Sequence, residues 1–262
     1  MTIADVRGRG IPYEDTGGSG TPLVLAHGFF MNRSMFEPQV AALRDRHRVI
    51  TYDERGHGEA ADDPEPYSYW DLADDLAGLL DHLGLERAVI GGMSQGGFIA
   101  LRFALRYPDR VIGMVLLDSQ AGVELAEKRA EYEVMRSVWE EHGPSELMGG
   151  MVAAIILGRY EGNPRWVAAW IERYPTGLGQ IYTTLMERDD ITERLAEIHA
   201  PALVVHGDED AAIPMERAEA LCAGLAGCAG VVVVAGGSHA ANLNRPAAVN
   251  EAIATFLAGL KP

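Results

Sequence analysis

The chain has 262 residues, 48% hydrophobic and 23% charged, which suits a soluble globular protein with room for one large domain or a core carrying an insertion. Its net charge of −16 sets nucleic acid and anionic membranes aside as partners, and no stretch approaches the roughly 18 apolar residues of a membrane span. The N-terminal MTIADVRGRGIPYED has charge and glycine where a signal peptide needs an apolar run, so a cytoplasmic address is expected. Cys222 and Cys228 lie in no metal-ligand spacing and form no disulfide framework; small buried residues or free thiols are expected.

The first forty residues read as an opening hairpin, a turn at DTGGSGTP and the apolar run LVLA. RVITYD, Arg48 to Asp53, is the next short run. Leu72, Leu76, Leu79, Leu80 and Leu83 then fall at helical spacing on one stripe, and Gly84 is placed to stop that helix. The alternation repeats: RAVIGG as strand, FIALRFALRYP as helix up to Pro108, and VIGMVLLD, Val111 to Asp118, as strand. After a long gap come ALVVHGD, a helix from near Pro214, VVVVAGG and a last helix in RPAAVNEAIATFLAGL. Short runs buried on both faces, alternating with amphipathic helices, predict an α/β fold: a parallel sheet with helices on both sides.

Residues 119–199 break this rhythm. Four helical patches appear there, punctuated by Gly143-Pro144, Asn163-Pro164 and Pro175, and no strand-like run. The expected organisation is a core of residues 1–118 and 200–262 with a helical cap, 119–199, inserted over the sheet edge.

The stretch GGMSQGG, residues 91–97, puts a serine where strand must become helix. Gly92-Met93-Ser94-Gln95-Gly96 has the G-x-S-x-G pattern in the strand–turn–helix setting of a nucleophile elbow. Glycines there avoid side-chain clashes at a sharp turn, and a helix N-terminus favours developing negative charge. A serine hydroxyl needs a base. Of eight histidines, His239 lies in a glycine-rich loop just past the last strand, at the carboxyl edge where ligands of open α/β sheets bind. His206, on a strand end, reads as structural. The orienting acid is expected in HGDED, with Asp210 fitting best and Asp208 as the alternative. Oxyanion donors are expected from the backbone N–H groups of Gln95 and of Phe29 in HGFF.

HGFF, DERGHG, GMSQGG, HGDEDAAIP and GGSHAANLNRP stand in the order found in the α/β-hydrolase fold family, which the chain resembles over nearly its whole length. The resemblance implies an eight-stranded, mostly parallel sheet with a helical cap after the sixth strand. It matches the family's acid to Asp210, and makes Asp53, Arg55, Gly56 and Gly58 a structural corner. Within the family the chain looks most like small esterase, perhydrolase and 3-oxoadipate enol-lactonase relatives. The implied chemistry is cleavage of carboxylic esters through an acyl-enzyme on Ser94, with no cofactor and no metal. A small-molecule ester or lactone of small to medium, largely apolar character is the expected partner. Lactone or C–C bond hydrolysis with the same residues, and a non-catalytic ligand-binding protein, are the alternatives. Phe30 and Met93 near the serine, and Trp166 and Trp170 in the cap, are candidates for the pocket wall.

Overall fold

The computed structural model describes residues 2–63 and 65–260; Met1, Pro64, Lys261 and Pro262, which fall within the expected core boundaries, lie outside them. Eight strands form one sheet: β1 (Thr2–Val6), β2 (Arg9–Asp15), β3 (Pro22–Ala26), β4 (Arg48–Tyr52), β5 (Ala88–Met93), β6 (Val111–Leu117), β7 (Ala202–Gly207) and β8 (Cys228–Val234). Their order across the sheet is β1-β2-β4-β3-β5-β6-β7-β8, with β1–β2 and β2–β4 antiparallel and the other neighbours parallel.

The central strands are buried along their whole length, as apolar runs covered on both faces require. β8 departs from that expectation. It is the edge strand, and Val232 and Val233 are 39% and 55% exposed because β8 has only β7 beside it.

Helices α1 (Glu37–Leu43), α2 (Tyr69–His82) and α3 (Gln95–Arg106) belong to the first half of the chain. Ser68 opens α2 with a reciprocal capping box to Asp71, and its leucine stripe is buried. Between β6 and β7 lie α4 (Ala126–His142), α5 (Glu146–Ile156), α6 (Asn163–Arg173), α7 (Gly179–Met186) and a 3₁₀ turn at Thr192–Glu197. This is the interval where the helical cap was expected. Helices α8 (Met215–Gly224), α9 (Ala241–Asn244) and α10 (Pro246–Gly259) complete the chain.

Cys222 at the end of α8 and Cys228 at the start of β8 form a disulfide. This corrects the expectation of unpaired cysteines: the turn between the two elements brings their Cα atoms to 5.4 Å, which spacing in sequence alone does not reveal. Among the described residues no helix is long and apolar enough to cross a membrane.

Candidate active site

Ser94 sits between β5 and α3 with φ +50° and ψ −111°, a backbone region that L residues rarely adopt. The turn is held from outside. Ser94 N–H donates to Leu117 O at 2.8 Å, and Ser119 Oγ donates to Ser94 O at 2.8 Å. The flanking glycines are there for close approach. A Cβ on Gly96 would lie 1.9 Å from Ala26 O, and one on Gly92 would lie 2.4 Å from the Gly96 carbonyl carbon. β3 and α3 therefore pass each other backbone to backbone, and the serine is lifted to the carboxyl edge of the sheet.

The other two candidates arrive from the neighbouring strand ends. Asp210 follows β7, and its Oδ1 accepts from the N–H groups of Ala212 and Ile213 at 2.8 and 2.9 Å. Its Oδ2 accepts a 2.8 Å hydrogen bond from His239 Nδ1. That bond places the proton on Nδ1 and leaves Nε2 as the nitrogen available to the cavity that His239 shares with Ser94. Asp208, the alternative acid, is turned away: its Oδ1 accepts from Gly236 N–H at 2.6 Å on the surface. His206 is buried under Asp210, with Nε2 2.9 Å from Ile213 O. Among the described residues Ser94 Oγ makes no hydrogen bond; such bonds often tighten only when substrate is bound.

Burial by itself would push the His239 imidazolium down, but the charge and hydrogen bond of Asp210 outweigh it and hold its pKa above the ordinary histidine value. Burial would likewise raise the Asp210 carboxyl; the His239 charge and the hydrogen bonds it accepts hold it below the usual range. A second carboxyl, Asp118 at the end of β6, is fully buried beside them. It accepts from Gly207 N–H at 2.8 Å and Ala241 N–H at 3.2 Å. Burial and the neighbouring Asp210 charge push Asp118 well above the usual carboxylate range. Of the two acids beside the imidazole, the one bonded to Nδ1 is thus the more acidic. The sequence reading passed over Asp118, whose only signal was a charged residue closing the apolar run VIGMVLL.

The N–H groups of Phe29 and Gln95 donate to no partner among the described residues. The HGFF turn is tight, with Phe30 at φ +67° and Met31 N–H donating to Gly28 O at 3.0 Å.

The cavity above Ser94 has a volume of about 50 Å³. Phe29, Phe30, Met93 and Phe98 line it from the core, and Tyr132, Met135, Val152, Ile156 and Leu185 from the helical insertion. Phe30 and Met93 are thus where the sequence suggested. Trp166 and Trp170 are not: both are buried inside the insertion, and the Trp170 ring packs against Phe30 at 5.5 Å rather than facing the cavity. The tryptophans fill the insertion's own core and leave its share of the cavity wall to Tyr132, Met135 and aliphatics. One charged side chain joins the wall. Glu124 Oε2 accepts from Arg188 at 2.6 Å and from Gln120 at 2.9 Å. The Arg188 guanidinium is turned to that carboxylate, to backbone carbonyls and to the Phe98 ring.

The fold is that of a hydrolase scaffold, and comparison with known proteins gives the family. Residues 21–141 match the alpha/beta hydrolase fold family model, and residues 182–261 match a model described as TAP-like protein. RutD of Azorhizobium caulinodans, assigned as a carbamate hydrolase, is 31% identical, the alignment covering 93% of this chain and 94% of RutD. 3-Oxoadipate enol-lactonase 2 of Acinetobacter baylyi is 27% identical over 97% of this chain and 94% of its own. Among solved structures, a thermophilic esterase from Thermogutta terrifontis superposes with a TM-score of 0.87 at 30% identity, covering 98% of this chain and 97% of that one. The chain belongs to the alpha/beta hydrolase fold family, and these relatives are hydrolases.

Proposed function

We propose that the protein is a serine hydrolase of small, largely apolar carboxylic esters, acting through an acyl-enzyme. The observation that carries this reading is Ser94 on its strained elbow, sharing one apolar cavity with an imidazole whose Nδ1 is bonded to a buried carboxylate. His239 Nε2 takes the Ser94 proton as Oγ attacks the ester carbonyl, and Asp210 stabilises the imidazolium that forms. The N–H groups of Phe29 and Gln95 receive the oxyanion, each worth about 3–4 kcal/mol to the transition state. His239 protonates the departing alkoxide, then activates the water that releases the acid and frees Ser94. These steps call on side chains and backbone of this chain alone.

The small cavity favours short acyl groups, and the Glu124 carboxylate on its wall disfavours an anionic substrate tail. Lactones are a second reading, supported by the enol-lactonase relative; the Glu124 carboxylate favours neutral lactones over those carrying an acid.

The test is hydrolysis of p-nitrophenyl esters from acetate to octanoate, with the p-nitrophenyl monoester of adipate, beside Ser94→Ala. The expected result is turnover highest for the short neutral esters, slower for the adipate, and lost in Ser94→Ala. Equal turnover by wild type and Ser94→Ala refutes the nucleophile.

A further inference from the structure

Beneath the oxyanion donors lies a buried polar network that the proposed mechanism does not use. Glu54 and His57 follow β4 in DERGHG, His27 follows β3, and all three are 0–2% exposed. His27 Nε2 accepts from Glu54 N–H at 3.1 Å, so the His27 proton is on Nδ1 and donates to Gly28 O at 2.9 Å. Gly28 C=O and Phe29 N–H are two ends of one peptide unit, and fixing the carbonyl fixes the direction of the N–H. On the other side, Gln95 Nε2 donates to Glu54 Oε2, and Tyr69 OH donates to Gln95 Oε1 at 2.8 Å. The residue supplying the second oxyanion N–H is thus gripped by its own side chain.

We propose that Glu54 is a positioning residue of the oxyanion hole, its backbone setting the Gly28–Phe29 peptide through His27 and its carboxyl setting Gln95. The inference rests on the serine-hydrolase reading above.

Two buried acceptors in this network lack a donor. His57 Nδ1 donates to Arg55 O at 3.0 Å, which leaves Nε2 unprotonated, and neither His57 Nε2 nor Glu54 Oε1 has a hydrogen-bond partner among the described residues. They belong to one buried cluster with His27, whose Nδ1 stands 3.9 Å from Glu54 Oε1, beyond hydrogen-bond reach. Burial and the adjacent Asp53 charge push the Glu54 carboxyl well above its usual range, against the hydrogen bond from Gln95, and so favour its protonated form. Burial keeps the imidazoles neutral, with His27 down to about 4 and His57 to about 3. A metal ion fits the cluster poorly, because both His27 nitrogens are already engaged.

Glutamine reproduces a protonated glutamate in shape, donor and acceptor. The experiment measures kcat and KM for p-nitrophenyl acetate with wild type, Glu54→Ala, Glu54→Gln and Tyr69→Phe, and records the infrared carboxylic C=O band of wild type and Glu54→Gln at neutral pH. Expected are a kcat fall of roughly 10–100-fold in Glu54→Ala with KM within about 2-fold, since a misplaced donor weakens the transition state rather than substrate binding. Glu54→Gln restores most of that rate, and Tyr69→Phe, which leaves the fold's apolar packing intact, lowers kcat by roughly 3–10-fold. A protonated-carboxyl band is present in wild type and absent from Glu54→Gln. The proposal is overturned by unchanged kcat in Glu54→Ala and Tyr69→Phe, or by Glu54→Gln as impaired as Glu54→Ala with no band in wild type. If wild type cleaves no ester, the hydrolase reading has failed and the oxyanion-positioning role falls with it; the band alone then shows whether the buried proton is there.

Discussion

In the proposed mechanism His239 is the base, and its surroundings set the pH range in which it would act. Its pKa is held above the ordinary value of about 6.5. The neutral imidazole is therefore populated only above that raised value. kcat/KM for ester hydrolysis should rise with pH through an inflection above about 6.5. In Asp210→Asn the largest charge opposing burial is removed and only those of Asp118 and Glu124 remain, so the inflection shifts down while the rate drops by roughly 10³–10⁴-fold. A pH profile of both proteins checks this. The same pair bears on stability with opposite signs. The raised His239 contributes stability below its unfolded pKa that fades as pH rises through the folded value. The depressed Asp210 contributes stability above about 3.9 that is lost as pH falls through its folded value. The proposed base and nucleophile could be picked out in the sequence because both stand in glycine-rich turns after apolar runs. Asp118, Glu54 and Glu124 were not. Asp118 merely closes a strand run and Glu54 stands inside a corner that reads as structural, and only packing shows them buried beside the site.

At the scale of elements, the β3–α3 crossing positions the nucleophile, and it depends on the missing side chain at Gly96. Gly96→Ala drives a Cβ to 1.9 Å from the Ala26 carbonyl oxygen, a backbone atom that cannot swing aside. The variant should lose about 3 kcal/mol or more and most of its activity. Gly150→Ala is the contrast: it adds a methyl to open space on α5 and should gain about 0.5–1 kcal/mol. Denaturant unfolding of the two variants measures both. The elements were readable because in a sheet covered on both faces short continuous apolar runs stand apart from helical stripes of period 3.6. The rotation of the inserted helices was not. By spacing Trp166 and Trp170 fit either a core stripe or a cavity stripe, and their burial, with the Trp170 ring against Phe30, decided between them.

Across the whole molecule, the sheet is strongest at its centre and thinnest at β8, an edge strand with exposed valines. The Cys222–Cys228 disulfide ties that edge to α8. It closes a short loop, so the chain-entropy gain is modest, about 2 kcal/mol. Cys222→Ala/Cys228→Ala should lower Tm by a few degrees with little change in kcat, and reductant should lower wild type alike. Calorimetry with and without reductant tests this. The site itself is a property of the molecule as a whole, since Ser94, Asp210 and His239 come from loops after β5, β7 and β8, and the insertion after β6 closes the cavity above them.

The central claim is that Ser94 becomes acylated. The most direct measurement is mass spectrometry of the protein quenched in acid during turnover of p-nitrophenyl butyrate. The account predicts a butyryl mass increment on the peptide containing Ser94, absent in Ser94→Ala and accumulating in a variant slowed at deacylation. Steady turnover with no increment on that peptide under any quench time, in wild type and slowed variant alike, would contradict it.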